Sequence, residues 1–159
     1  LPSASWAVFF LAGVYLRPAW VLAALLAGAG LLDYAAITWG GVSSFCVSPA
    51  YVALLPAYGS LWLAGRWYAG QYAFKPMTLL PLAGSVFAGT VACELISSGG
   101  FYFFSGRFAD PTLAEFALRF AKYFPASLGA IAFWVTAAAL AHVLAMTVAR
   151  RGGGDSTTA

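Results

Sequence analysis

The stretch AWVLAALLAGAGLLDYAAITW, residues 19–39, contains a single charged side chain, Asp33. As a helix with a rise of 1.5 Å per residue, it covers roughly 30 Å, which is the thickness of the hydrocarbon core of a bilayer. A helix that is apolar on every side has no face to present to water. The stretch therefore predicts a segment that crosses a membrane.

The rest of the chain has the same character. Of its 159 residues, 62% are hydrophobic and only 8% are charged, and the mean hydropathy is +0.85. Soluble domains carry roughly 25% charged residues because their surfaces are hydrated. The composition excludes a soluble globular domain, and the lack of a contiguous basic face excludes a nucleic-acid-binding protein. We expect an integral membrane protein.

Charged residues and prolines divide the chain into five apolar runs, at residues 5–16, 19–39, 48–64, 76–98 and 126–149. The first run is short for a span, and Gly65-Arg66 is expected to end the third. The predicted fold class is all-α: a polytopic membrane helix bundle of five clear spans plus a short amphipathic or sixth helix. Residues 1–151 form one predicted transmembrane helical domain, and residues 152–159 a disordered C-terminal tail.

The additional helix is predicted at residues 110–123. Asp110 is a suitable N-cap, and Pro111 suits the first helical turn. Apolar residues recur there at helical spacing, at Leu113, Phe116, Ala117, Phe120 and Ala121. The other side carries Glu115, Arg119 and Lys122. This pattern is typical of an interfacial amphipathic helix or of a short sixth helix of the bundle.

The distribution of basic residues predicts the orientation. Three connections or ends carry them, with Arg17, with Arg66 and Lys75, and with Arg150 and Arg151. Short cytoplasmic loops are enriched in Lys and Arg, so these three places should face the cytoplasm. The uncharged loop at residues 40–47 and the connection between the fourth and fifth runs should face outward.

Small residues recur at every fourth position in the last two spans. The stripes are Gly84, Ala88 and Ala92 with Ser85 and Gly89, and Ala137, Ala141, Ala145 and Ala149. Such stripes allow the close approach of helices in lipid. They serve either packing within the bundle or the docking of a partner membrane protein.

Three polar residues are expected near the outer side. Asp33 lies within a span, Glu94 lies close to the outer end of another, and Arg107 lies in the outer connection. An ionised Asp near a helix centre costs about 2.5–3.5 kcal/mol on insertion, so it needs a partner or a hydrated cavity. The three residues form either a polar site or a buried ion pair that only fixes helix positions.

The two cysteines, Cys46 and Cys93, also fall on the predicted outer side. They form a disulfide in an oxidising periplasm, or they are two inert packed thiols, or Cys46 is a free thiol that meets a soft metal centre or an electrophile. His142 and Met146 are spaced for one metal, but the chain contains a single histidine, which favours packing. No independent metal site is predicted.

Aromatic residues surround the expected outer cavity. The stretch SSGGFYFFSGRF, residues 97–108, suggests a mobile flap over a large, flat, partly apolar ligand. The aromatic residues in question are Tyr34, Trp39, Phe45, Tyr51, Tyr58, Phe101, Tyr102, Phe103, Phe104 and Phe108.

Three stretches resemble a known family: FCVSPAYVALLPAYGSLWLAGRWYAG (residues 45–70), ELISSGGFYFFSGRF (residues 94–108) and YFP (residues 123–125). They are similar to the BtuM-type cobalamin (vitamin B12) transporters, which are S-components of the energy-coupling factor (ECF) family. The resemblance implies a six-helix protein of the bacterial inner membrane that binds cobalamin from the periplasm. It also implies an ECF transmembrane coupling subunit and ATPases as partners.

By this resemblance, Cys46 matches the cysteine of the family and supplies a thiolate to the cobalt of cobalamin. A thiolate is a soft, strongly donating ligand, so it is expected to labilise an upper axial ligand such as cyanide. The expected ligand-binding set is Cys46, Tyr51, Tyr58, Asp33, Phe101, Tyr102, Phe104 and Arg107. Two alternatives are a small membrane thiol redox protein that uses Cys46 and Cys93, and an S-component for another vitamin.

Overall fold

The computed structural model describes residues 3–41, 43 and 49–152, and every regular element in these ranges is helical. This confirms the all-α fold class. The elements are α1 (Ser5–Tyr15), α2 (Trp20–Thr38), a 3-10 helix (Pro49–Ala53), α3 (Leu54–Gln71), a second 3-10 helix (Pro76–Thr78), α4 (Leu79–Phe104) and α5 (Leu113–Gly152). Cys46 and the predicted tail from residue 153 onward lie outside the described residues.

Three of the described helical segments are long and apolar enough to cross a membrane. They are Trp20–Thr38, Pro76–Phe104 and Leu113–Arg150. α1 is apolar but has only 11 residues, and α3 contains Arg66 within its last two turns. Length and composition therefore support three of the five predicted spans.

Four helices form the closed core of the bundle. α1 packs along α3, α3 along α4, α4 along α5, and α5 returns to contact α1. The side chains of Phe10, Leu61, Cys93 and Ile131 are fully buried between them. α2 lies at the periphery, where it contacts α1 and α3 and buries only Val21.

Two glycines explain the close crossing of α1 and α3. A Cβ atom on Gly13 would collide with the carbonyl oxygen of Trp62, and one on Gly65 would collide with that of Phe10. Gly65 therefore serves helix contact, as small residues do in membrane bundles, and does not end the helix. The expected end of the third run at Gly65-Arg66 is wrong, because α3 continues to Gln71.

The predicted flap is also largely wrong, since residues 97–104 belong to α4. The glycines at positions 99 and 100 again serve packing. A Cβ on Gly100 would lie 2.6 Å from the Cβ of Ala53, and one on Gly99 would lie 3.4 Å from the ring of Phe116. Only residues 105–112 connect α4 to α5.

The predicted amphipathic helix and the fifth span form one helix of 40 residues, with Pro125 inside it. A proline in a helix removes one backbone hydrogen bond, which membrane helices tolerate when their surroundings compensate. Residues 113–123 are thus the first part of α5 and not a separate sixth helix. The predicted start at Asp110 and Pro111 is wrong, because α5 begins at Leu113 and the Thr112 hydroxyl accepts a hydrogen bond from the backbone amide of Glu115.

The small-residue stripes differ in their burial. On α4, Ser85 and Gly89 are buried, whereas Gly84 and Ala88 are exposed. On α5, the four alanines at positions 137, 141, 145 and 149 are all exposed. The α5 stripe therefore does not pack against the described part of the bundle.

The bundle has two ends, which we name after the predicted orientation. At the inner end, α1, α3 and α5 end and α2 and α4 begin. At the outer end, α2 and α4 end and α3 and α5 begin. Four basic residues lie toward the inner end. Arg66 and Arg150 are in the last two turns of α3 and α5, and Arg17 and Lys75 are in the connections at that end.

Candidate functional site

A cavity of about 350 Å³ opens at the outer end of the bundle. It lies between the 3-10 helix before α3, the last turns of α4 and the first turns of α5. Its lining combines aromatic rings with a few polar groups: Ala50, Tyr51, Leu54, Glu94, Ser97, Ser98, Phe101, Tyr102, Phe108, Phe116, Arg119, Phe120 and Tyr123. This combination of apolar walls and few polar groups is typical of small-molecule sites.

Glu94 is the buried acidic group of the cavity, with 4% of its surface exposed. Its carboxylate accepts a hydrogen bond from Ser98 Oγ at 2.5 Å and one from Ser127 Oγ at 2.8 Å. Ser98 lies one turn further along α4, and Ser127 lies on α5. The two hydroxyls compensate part of the cost of burying a carboxyl group in an apolar helix bundle.

Tyr102 organises the outer wall. Its hydroxyl donates a hydrogen bond to Glu115 Oε2 at 3.0 Å and accepts one from the backbone amide of Thr112 at 3.2 Å. Its ring lies 4.7 Å from that of Phe108 and 5.8 Å from that of Phe116, measured between centroids. Tyr102 thereby ties the end of α4 to the connection and to the start of α5.

Arg119 adds the positive charge of the site. Its guanidinium group lies 4.7 Å from the ring centroid of Phe108 and 5.4 Å from that of Tyr102. It also forms an ion pair with Glu115 on the preceding turn, with 3.0 Å between Nη2 and Oε1. A guanidinium group stacked on aromatic rings is held in place while part of its surface stays available to a ligand.

Asp33 meets the site through Tyr51. The Tyr51 hydroxyl donates a hydrogen bond to Asp33 Oδ2 at 2.6 Å. Tyr51 lines the cavity, whereas Asp33 is exposed on α2. The bond attaches the peripheral helix α2 to the 3-10 helix that borders the cavity.

The structure gathers some of the expected binding residues and separates others. Tyr51, Phe101 and Tyr102 line the cavity together with Glu94. Tyr58 is half-buried and stacks on Phe9 with 4.4 Å between ring centroids. Phe104 is 73% exposed, and Arg107 is an exposed residue of the connection.

The expected polar cluster of Asp33, Glu94 and Arg107 has a different arrangement. Asp33 is bonded by Tyr51, and Glu94 is bonded by two serines. The arginine that lines the cavity is Arg119. The sequence pattern predicted it on the side opposite the apolar stripe, but two members of that stripe, Phe116 and Phe120, line the cavity with it. Leu113, a member of that stripe, is 76% exposed.

Arg119, Phe116 and Phe120 were thus missed as site residues, although their helix was expected. Their spacing of three and four residues carries the signal, because it puts them on one side of α5. Ser97, Ser98 and Ser127 were missed as well. Single serines in apolar helices carry no pattern until a buried carboxyl group is found beside them.

Cys93 and His142 do not belong to this lining. Cys93 has a free thiol with no exposed surface, and Cys46 and Phe45 lie outside the described residues. His142 lies at the inner end, where its Nε2 atom is 2.9 Å from the Tyr72 hydroxyl. Within the described ranges, no three His, Cys, Asp or Glu side chains are grouped to hold a metal ion.

The arrangement is suited to binding a ligand. Aromatic faces accept a flat ligand, Glu94 and Ser97 offer acceptors to amide or hydroxyl donors, and Arg119 offers donors to carbonyl groups. No protein-family model matches the chain, and the search of curated proteins gives no significant match.

Proposed function

We propose that the chain is a membrane-embedded binding subunit for the uptake of cobalamin and related corrinoids, with its site at the outer, periplasmic end. The observation that carries the proposal is the composition of the outer cavity. It places Phe101, Tyr102 and Phe108 beside the buried carboxyl group of Glu94. A corrin is a large, nearly flat ring with amide side chains around its edge, and these amides pair with carboxyl and hydroxyl groups.

The position of Cys46 in the sequence supports the same ligand. Cys46 precedes Ala50 by four residues, and Ala50 lines the cavity. Four residues of extended chain span at most about 14 Å, so the covalent chain permits the Cys46 thiol to reach a ligand in the cavity. We infer that the Cys46 thiolate binds the cobalt of the corrinoid, since soft metals favour thiolate ligands.

Thiolate binding would also favour the loss of an upper ligand. The Cys46 thiol would lose its proton and its sulfur would replace the lower axial ligand of cobalt; the Co–CN bond would then break, and cyanide would leave with its electron pair and take up that proton as hydrogen cyanide. Cobalt keeps its oxidation state in this exchange, so neither an oxidant nor a reductant is required. The only chemical change that the chain would make to the bound corrinoid is this exchange of axial ligands.

The exposed surface of the bundle supports a partner within the membrane. The alanine stripe of α5 is exposed, and so are about half of the residues of α2. We propose that one of these surfaces contacts an ECF-type transmembrane coupling subunit, with ATPases bound to that subunit. Small residues at every fourth position permit such an approach.

The visible spectrum of detergent-purified protein tests the cobalt ligand. After incubation with cobalamin, the wild-type protein should show a shifted corrinoid spectrum. Cys46→Ser should abolish the shift, while the matched variant Cys93→Ser should retain it, because Cys93 is buried and free. The same shift in Cys46→Ser would refute thiolate ligation.

The contribution of the cavity needs a separate readout, which is the amount of corrinoid retained after gel filtration. Glu94→Leu removes the acceptor and should lower the affinity by about tenfold, which corresponds to roughly 1.4 kcal/mol. Lys122→Gln, an exposed change outside the lining, should have no effect. If neither the wild-type protein nor the variants retain a corrinoid, the proposed function is wrong.

A further inference from the structure

A second cavity, of about 480 Å³, lies at the inner end of the bundle, away from the proposed corrinoid site. Side chains of α1, α3, α4 and α5 form its walls. The walls are mostly apolar, with Phe10, Leu11, Val14, Leu82, Val135 and Ala139 on the inside. Its volume lies within the range of small-molecule sites, so it is large enough for an occupant.

The cavity opens on the outer surface of the bundle and is not sealed. Leu79 and Val143 belong to its lining and are 60% and 48% exposed. Tyr15 at the end of α1 also lines it and is 51% exposed. In a bundle that crosses a membrane, such an opening between helices faces the hydrocarbon tails of the lipids.

Two polar side chains that line this cavity, Tyr72 and His142, are paired with each other. The Tyr72 hydroxyl and His142 Nε2 are 2.9 Å apart, and the His142 ring packs on the rings of Tyr15 and Tyr72 with centroid distances of 5.8 and 5.5 Å. Paired polar groups do not require a polar ligand. The interior of the cavity is thus suited to a hydrocarbon chain.

The rim, in contrast, carries two cations. Lys75 belongs to the lining, and the Arg150 guanidinium lies 4.3 Å from the ring centroid of Phe74, which also belongs to it. In the ranges that the structure covers, neither cation forms an ion pair with a carboxylate. The described acidic residues Asp33, Glu94, Asp110 and Glu115 all belong to the outer half.

We propose that this inner cavity binds an anionic phospholipid, with one acyl chain between α1 and α5 and the phosphate between Lys75 and Arg150. The apolar interior matches the chain, and the two rim cations match the charge of the headgroup. The predicted orientation puts the rim in the cytoplasmic leaflet, where anionic lipids are concentrated and each nearby Lys or Arg strengthens binding about fivefold. This site does not depend on the corrinoid proposal.

Native mass spectrometry of the delipidated full chain in detergent tests the proposal. Dioleoyl phosphatidylglycerol and dioleoyl phosphatidylcholine have the same acyl chains but differ in headgroup charge. We expect one phosphatidylglycerol to be retained per chain, with an affinity at least about tenfold above that for phosphatidylcholine. Equal retention of the two lipids would overturn the proposal.

Variants test the two halves of the site separately. Lys75→Gln combined with Arg150→Gln should remove the preference for phosphatidylglycerol, whereas Lys122→Gln, which removes a cation near the outer end, should keep it. Ala139→Trp should fill the cavity and lower the retention of both lipids. A preference that survives in the double variant would refute the assigned rim.

A soluble headgroup distinguishes a lipid site from a simple anion site. Glycerol phosphate at millimolar concentration should not displace bound phosphatidylglycerol, because the acyl chain contributes most of the binding. Displacement by glycerol phosphate would show an anion site without a chain pocket and would overturn the proposal. Since the readout is a bound lipid mass, a negative result here leaves the corrinoid experiment unaffected.

Discussion

The Ser127 hydroxyl on α5 donates a hydrogen bond to Glu94 Oε2 on α4 over 2.8 Å. Glu94 accepts its second hydrogen bond from Ser98 on its own helix. The bond from Ser127 therefore joins two helices, whereas the bond from Ser98 does not. The bond from Ser127 fixes the position of the Glu94 carboxyl group between the aromatic walls of the outer cavity. It therefore contributes both to the packing of α4 on α5 and to the shape of the site.

The variant Ser127→Ala should lower the free energy of unfolding by about 1 kcal/mol, because it leaves one carboxylate oxygen without a donor. Unfolding in mixed micelles with increasing sodium dodecyl sulfate, followed by circular dichroism, measures this change. Ser60→Ala is the matched control, since Ser60 Oγ bonds only to the Ala57 carbonyl within α3. Equal losses in the two variants would contradict a role of Ser127 between helices.

The crossing of α1 and α3 predicts the effect of added methyl groups. Gly65→Ala should destabilise the bundle by about 1–3 kcal/mol, because its Cβ would collide with the backbone of Phe10. Gly59→Ala is the control on the same helix, where nothing lies within 4 Å of the added atom. It should be neutral or stabilising by about 0.5–1 kcal/mol. The same unfolding assay compares them, and a stable Gly65→Ala would show that the helices are further apart.

The bond between Tyr51 and Asp33 predicts how α2 is held. Tyr51→Phe should lower the free energy of unfolding by about 1–2 kcal/mol, because the Asp33 carboxylate loses its donor. Tyr34→Phe is the comparison on α2, since this side chain is 63% exposed and the change should cost less than about 0.5 kcal/mol. Asp33→Asn keeps an acceptor and should lie between the two. No difference between the tyrosine variants would mean that α2 is attached by its apolar contacts alone.

Composition and apolar runs predicted the all-α fold because hydrophobicity acts over whole segments. The helix boundaries were less predictable. Glycine is a helix terminator in water, and that rule predicted an end at Gly65 and a flap at Gly99-Gly100. In the bundle, the same residues allow the contacts with Phe10, Phe116 and Ala53. Whether a glycine ends a helix or allows a close contact depends on which helix packs against it, and the sequence pattern along one segment does not show that contact.

The site was predictable to a similar degree. Tyr51, Phe101 and Tyr102 were expected from the density of aromatic residues, and they do line one cavity. The charged partner was misplaced, because Arg107 is close to these residues along the chain whereas Arg119 is close to them in space. Arg119 reaches the cavity because it lies on the first turns of α5, which begins at Leu113 and continues through Pro125. The sequence did not predict this continuous helix, because a proline usually interrupts one.

The burial of Cys93 predicts its chemical reactivity. In the variant Cys46→Ser, Cys93 is the one remaining thiol, and its side chain has no exposed surface in the structure. A maleimide should label it at least about tenfold more slowly in mild detergent than in sodium dodecyl sulfate, because the thiol must first become accessible. The labelled fraction, measured by intact mass over time, checks this. Equal rates would contradict the burial and would support the alternative of a thiol redox protein, which requires an accessible Cys93.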